Sequence, residues 1–175
     1  MNPYPLAILQ PGPLSKRGYQ VYGVQSPKRG VACHSAEGYQ TALLDILLTP
    51  DNRKSWHFSI LLDGTVWQHY DPLDNCWASG DVDDDGGIRA NIDLIAVEAE
   101  GLAGRALNDK QVRSFASLYS WLQQAYGLGP YEPWRTVYEH RWVSDLPTAC
   151  PSDRYPHVQI ASILAAREPI MSNDR

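Results

Sequence analysis

Apolar positions along the chain fall into short runs whose period switches between two and about 3.6 residues, and each switch marks an element. Gly30 to His34 is a short apolar run that reads as a buried strand ending at His34. Between Tyr39 and Leu48, Leu43, Leu44, Leu47 and Leu48 recur at helical spacing, and Pro50 ends the helix. Two strand-like runs, His57 to Leu62 and Thr65 to His69, flank Asp63-Gly64, a dipeptide that favours a two-residue type I′ hairpin turn. Ile92 to Val97 is apolar at nearly every position, as expected of a strand covered on both faces, and it delivers Glu98 at its C-terminal end. Asn108 followed by Gln111 forms a capping-box start. Val112, Phe115, Leu118, Leu122 and Tyr126 then mark one face of a long helix that stops at Gly127. A loop over Gly127 to Pro133 leads to a short strand at Thr136 to Glu139, which brings in His140, and Pro156 to Arg167 reads as a final helix stopped by Pro169.

Residues 1 to 30 carry Pro3, Pro5, Pro11, Pro13 and Pro27, which argues for an extended, turn-rich arm wrapping the domain. Residues 31–168 form the body and 169–175 a C-terminal tail. Strands alternating with helices, with one hairpin, give an α/β fold: a single domain with a central mixed β-sheet flanked by helices.

Composition narrows the classes of function. At 175 residues, 43% apolar and 20% charged, the chain is ordinary globular material, long enough to bury a core without staples. A net charge of −5 offers no basic face for a phosphate backbone, so nucleic acid is not an expected partner. Cys33, Cys76 and Cys150 are an odd set at irregular spacing, which fits a reducing compartment or a metal role better than a disulfide framework. The N-terminal residues lack the basic start and apolar core of a signal peptide, and no apolar run approaches the ~20 residues that span a bilayer. Cytoplasmic synthesis without membrane insertion is the expectation.

The chemistry concentrates in His34 and in the stretch Tyr138 to Pro151, which holds His140 and Cys150. Two histidines and a cysteine can give zinc three ligands and leave the fourth position open, the arrangement of a catalytic site. Zinc lowers the pKa of its water to near ~7, and a site of two neutral imidazoles and one thiolate keeps residual positive charge to polarise a carbonyl. An amide is the natural target, given a group that takes the water's proton and delivers one to the leaving nitrogen. Glu98 is the candidate.

These residues carry a resemblance. Ala32-Cys33-His34-Ser35-Ala36, Trp56-His57-Phe58-Ser59-Ile60 with Asp63-Gly64-Thr65-Val66, Asn91 with Ile95-Ala96-Val97-Glu98, and His140-Arg141 through Thr148-Ala149-Cys150-Pro151-Ser152 stand in the order seen in zinc-dependent N-acetylmuramoyl-L-alanine amidases. That group includes the small phage amidases and the peptidoglycan recognition proteins. The resemblance implies their fold and zinc held by His34, His140 and Cys150, with Glu98 as acid/base and Thr148 facing the substrate beside it. Trp56, His57, Trp77 and Asn91 become substrate-binding positions. The implied partner is bacterial peptidoglycan, cut between N-acetylmuramic acid and L-alanine by a monomeric phage or prophage endolysin that reaches the wall after release. A non-catalytic peptidoglycan-binding protein and a zinc amidase for another amide are the alternative readings.

Departures from the family pattern are visible. Asp145-Leu146 lengthens the segment between His140 and Cys150, Trp56 stands where several members place Tyr, and Ala78 replaces a His in Cys76-Trp77-Ala78-Ser79-Gly80. His57 alternates with Ser59 and Leu61 along a strand and reads on that pattern first as a structural residue, with substrate contact the lesser reading. His69 and His157 read as surface residues. Asp81 to Gly86 opens like a calcium loop, but Ile92 stands where an EF-hand needs a bidentate Glu, so a solvated acidic loop is the better reading. Trp67, Trp77, Trp134 and Trp142 either line a glycan groove or pack.

Overall fold

The computed structural model describes residues 2–18, 23–80 and 87–166. A six-stranded sheet runs through the domain in the order β1-β4-β3-β5-β2-β6, made of β1 (Ala7–Leu9), β2 (Gly30–Ser35), β3 (Phe58–Ile60), β4 (Val66–Gln68), β5 (Leu94–Ala99) and β6 (Val137–Glu139). β2, β3, β5 and β6 are mutually parallel, whereas β4 pairs antiparallel with β3 and parallel with β1. The sheet is mixed, as its hairpin and crossovers require.

Alternation along the central strands divides the side chains between two faces. Val31 and Cys33 of β2, with Ile95, Val97 and Ala99 of β5, face the larger core, which α3 (Asp109–Tyr126) fills with Val112, Phe115, Leu118, Tyr119 and Leu122, and α5 (His157–Ala165) with Ile160. On the other face Ala96 packs with Leu43 and Leu47 of α1 (Gln40–Leu48), Trp56 and Trp67. The short helices α2 (Ala90–Asp93) and α4 (His140–Val143) close a third cluster around Ala32, Leu94, Tyr138 and Val143. The same alternation that sends Ala32 and Ala96 to this second side also sends His34 and Glu98 there. α3 begins with the expected capping box, Asn108 accepting from Gln111 N–H while Gln111 accepts from Asn108 N–H, and ends on Gly127 at φ 68.

Within the arm Ala7–Leu9 adds a parallel strand to β4, and Gln10 and Gly12 donate to the carbonyls of Gln68 and His69. Two local expectations are corrected. The hairpin turn is not type I′, which needs positive φ at both central residues; of the pair only Gly64 is positive, at φ 89. Gly64 N–H returns to Leu61 O and Leu61 N–H to Thr65 O, a three-residue loop with glycine in the left-handed position. Second, His69 is fully buried, covered by the arm, with its Nδ1 2.6 Å from Gln10 O. The final helix is His157–Ala165, inside the expected span, while the Asp81–Asp85 segment and the 169–175 tail lie outside the described residues. Among the described residues no helix is long and apolar enough to cross a membrane.

Candidate active site

Two adjacent parallel strands set the register. His34 on β2 and Glu98 on β5 are direct Cα partners, and Cys33 pairs with Glu139 on the other side, so His140 enters beside His34 as the first residue of α4. The two imidazoles lie with centroids 4.5 Å apart. Cys150 arrives from a loop whose ends are drawn together by Arg141 N–H donating to Cys150 O at 2.8 Å. Asp145 and Leu146 leave that closure intact, and Leu146, 69% exposed, lines the cleft. One ligand atom from each of His34, His140 and Cys150 lies within 4.8 Å of the others, so the trio can hold a metal.

The donor chemistry fits such an ion. His34 Nε2 is buried without a hydrogen-bond partner, a costly state for a ring nitrogen unless something takes up its lone pair. His140 Nε2 lies 3.2 Å from Ser79 O, and donating there leaves Nδ1 as the basic nitrogen, the backbone anchoring common for metal-bound histidine. Burial, with His140 and His57 adding to it, pushes the His34 pKa well down; burial also lowers that of His140 against the opposing pull of its bond to Ser79 O, so both rings are held toward the neutral form that can ligate. Burial raises the Cys150 thiol to about 12, with Glu98 adding to the rise. Ser35 N–H donates to Cys150 Sγ at 3.2 Å, a contact that favours the thiolate a cation would draw out.

Glu98 faces the same cleft. Its Oε1 is 4.0 Å from His34 Nδ1, and its buried Oε2 has no partner. Desolvation raises its pKa to about 7, against the opposing pull of Arg154 and Lys54. The cleft itself encloses about 500 Å³, inside the usual range for ligand pockets, and is lined by Trp56, Trp77, Glu98, His140, Thr148 and Cys150 among others.

The remaining expected positions divide. Trp77 lines the cleft, with Arg53 5.8 Å above its ring. Trp56 presents its ring, but its indole N–H is spent on Ser59 Oγ at 2.8 Å, which in turn meets His69 Nε2 at 2.8 Å. Thr148 lines the cleft and its hydroxyl accepts from Cys150 N–H at 3.2 Å. Of its two readings His57 takes the structural one: fully buried, it accepts from Ala96 N–H at Nδ1 and donates to Asp74 O from Nε2, so no ring nitrogen is left for substrate. Asn91 also lies outside the lining; it is buried behind the wall, where its Oδ1 accepts from Ala78 and Ser79 N–H and holds Trp77–Ser79 in place.

Sequence reading missed Arg53 and Lys54 at the rim and, above all, Arg154. Arg154 is buried and donates to Ser35 Oγ and to the carbonyls of Ala99, Glu100 and Arg105, while Tyr155 Oη donates to His34 O. Together they pin the ends of the two strands that carry His34 and Glu98. Arg154 stands in the polar segment Pro151-Ser152-Asp153-Arg154-Tyr155, which carries no mark of its burial.

Comparison with known proteins follows this geometry. A family model described as N-acetylmuramoyl-L-alanine amidase matches residues 24–153. No curated protein sequence matches the chain. Among solved structures, a selenomethionine derivative of AmpD superposes with TM-score 0.73 at 18% identity, covering 92% of this chain and 95% of its own. A mutant endolysin from Bacillus subtilis gives 0.60 at 23% identity, covering 83% and 88%. The N-acetylmuramoyl-L-alanine amidase endolysin LysCS from Clostridium intestinale gives 0.56 at 16%, covering 82% and 91%. At these identities the structures show a shared fold.

Proposed function

From the premise that this chain belongs to the N-acetylmuramoyl-L-alanine amidase family, matched over residues 24–153, we propose how its own residues carry out the reaction. The protein is a peptidoglycan amide hydrolase that acts on the bond between N-acetylmuramic acid and L-alanine. In our reading the resident metal is zinc, held by His34, His140 and Cys150. When bound it supplies Lewis-acid polarisation of the scissile carbonyl and lowers the pKa of an attacking water.

The other steps belong to side chains. Glu98, on the same face of the sheet as His34 and with one carboxylate oxygen unpartnered, takes a proton from the attacking water as the new C–O bond forms. It returns that proton to the alanine nitrogen as the C–N bond breaks, leaving a muramoyl carboxylate and a free peptide amine. A carboxylate whose pKa is held near neutrality is matched to both transfers. Trp77 and the ring of Trp56 bound the cleft and limit water around the reacting bond. Thr148 we place as a wall residue whose hydroxyl fixes the turn before Cys150 and faces the substrate.

The observation that carries this reading is the convergence of His34, His140 and Cys150 beside an unpartnered Glu98. Likeness in fold to endolysin amidases supports a phage or prophage endolysin acting on the wall, and we take it to act as a monomer. The test is loss of turbidity in a peptidoglycan suspension. Lysis disappears with a chelator and returns with zinc, and new peptide amines appear in step with it; lysis that persists in chelator removes the mechanism.

A further inference from the structure

Trp134 departs from the rest of the surface in two ways. Its backbone lies at φ 70, in the left-handed region where bulky side chains are outliers, and the residue is 62% exposed. The conformation is imposed from around it: Trp134 N–H donates to Val137 O at 2.9 Å, and Arg135 and Thr136 N–H both return to Glu132 O. Such strain persists where the surroundings over-determine it, and it points to a use for the side chain it presents.

What it presents is a built aromatic stack. The Trp134 ring lies on Trp142 with centroids 4.0 Å apart and planes at 16°, and Trp142 stacks in turn on His157 at 5.8 Å and 28°. His157 is locked beneath, its Nδ1 2.7 Å from Tyr131 Oη and its Nε2 3.0 Å from Glu139 Oε1, so it is not the surface residue its sequence position suggested. Trp142 covers one indole face, and Trp134 still exposes 62% of its surface, which leaves the opposite face for a ligand.

We propose that this outward face is a glycan subsite outside the catalytic cleft, on which a pyranose ring of the peptidoglycan sugar chain stacks; the choice of sugar chain rests on the peptidoglycan amidase reading above. A pyranose offers an apolar C–H face and a rim of hydroxyls. The rim has polar groups near it, since Arg135 and Glu132 of the same turn pair at 3.0 Å with 80% and 42% of their side chains exposed. The subsite is also tied to the cleft. His140 opens α4 and faces the candidate metal centre, and Trp142 follows two residues later, roughly 200° around the helix axis. A polymeric substrate that crosses this one-turn helix meets both. A protein partner fits less well, because one aromatic side chain offers at most about 250 Å² whereas a stable interface buries about 800 Å² per side.

The experiment is calorimetric titration of the zinc-loaded protein with peptide-free glycan strands, which contain no bond for the amidase to cut. Wild type and Trp134→Phe, which keep a flat face, bind; Trp134→Leu, which keeps bulk without the face, and Trp134→Gly, which suits φ 70, bind about 5- to 10-fold more weakly. Trp134→Gly melts no lower than wild type, so its weakened binding reports on the ring. No binding by wild type, or equal binding by the Leu and Phe variants, overturns the proposal. A change of oligomeric state in Trp134→Leu with unchanged glycan affinity does the same, because it makes the face a protein contact. Wall hydrolysis is scored separately: hydrolysis without glycan binding removes the platform alone, and glycan binding without hydrolysis keeps it while removing the amidase mechanism.

Discussion

A carboxylate shuttles protons at neutral pH only if something lifts it from its ordinary range, and at Glu98 that something is burial beside His34, partly offset by Arg154 and Lys54. Replacing Glu98 with Gln keeps the shape of the site and the three metal ligands but removes the proton acceptor. The expected result is turnover reduced by about 10²- to 10⁴-fold with metal content unchanged, read by amine release and metal analysis; an unaffected rate would move the base elsewhere. At Cys150 the opposite test applies. Its thiol, raised to about 12, ionises only when a cation replaces the proton, so Cys150→Ala loses bound zinc in proportion to lost activity and leaves a folded, inactive protein. A Cys150→Ala variant that retains stoichiometric zinc contradicts the ligand assignment.

At the scale of elements, two buried cations hold the chain segments that frame the cleft. Lys16 is buried, and its ammonium donates to Ile46 O and Leu47 O at the C-terminal end of α1, to Asn52 Oδ1 and to Lys54 O. It closes α1 where the helix leaves carbonyls unpaired, and it fixes the turn that carries Arg53 and Lys54 to the rim. Lys16→Met fills similar space but strands those acceptors, so we expect a loss of about 2–4 kcal/mol in urea unfolding. Arg154 does the same for the ends of β2 and β5. It also explains Gly101, which lies at φ 122 and where an added Cβ would fall 2.4 Å from the Arg154 guanidinium. Gly101→Ala should therefore lower both the melting temperature and activity, since it displaces the arginine that pins the strand ends bearing His34 and Glu98.

For the whole molecule the sharpest expectation concerns acid. Burial is the main cause that depresses His57 to about 3 and His69 to about 4, whereas both titrate near 6.5 in an unfolded chain. Between those values the unfolded chain binds protons that the folded one refuses, so this stability is complete above pH 6.5 and is lost as pH falls. Glu98 works in the opposite sense between 4.5 and about 7, where the folded protein holds the extra proton. His34 and His140 are lowered in the same way, so the histidines outweigh the one carboxylate and stability should fall as pH drops from 6.5 to 4.5. Thermal melts across that range test it, and a flat or rising profile contradicts it. Zinc acts through the same linkage, and at a hundredfold excess over its dissociation constant it should add about 2.7 kcal/mol.

The order of elements, the capping box at Asn108 and the mixed sheet were legible in the sequence because each follows from local periodicity and short-range hydrogen bonding. The residues His34, Glu98, His140 and Cys150 were legible as chemical types in order, and short apolar runs already put His34 and Glu98 at strand ends. That they share a face in direct register is a fact of strand pairing, which sums contacts over residues far apart in the chain. Tertiary packing alone decided the fates of the other polar groups. His57, His69 and Asn91 read as substrate-facing or exposed because a lone polar residue in a strand or loop carries no mark of what will cover it. The arm, the backbone of β5 and the Trp77–Ser79 wall cover them instead. Arg154 and Trp134 were ambiguous for the same reason, one being buried by partners 49 to 119 residues away and the other held out in the left-handed region by its turn.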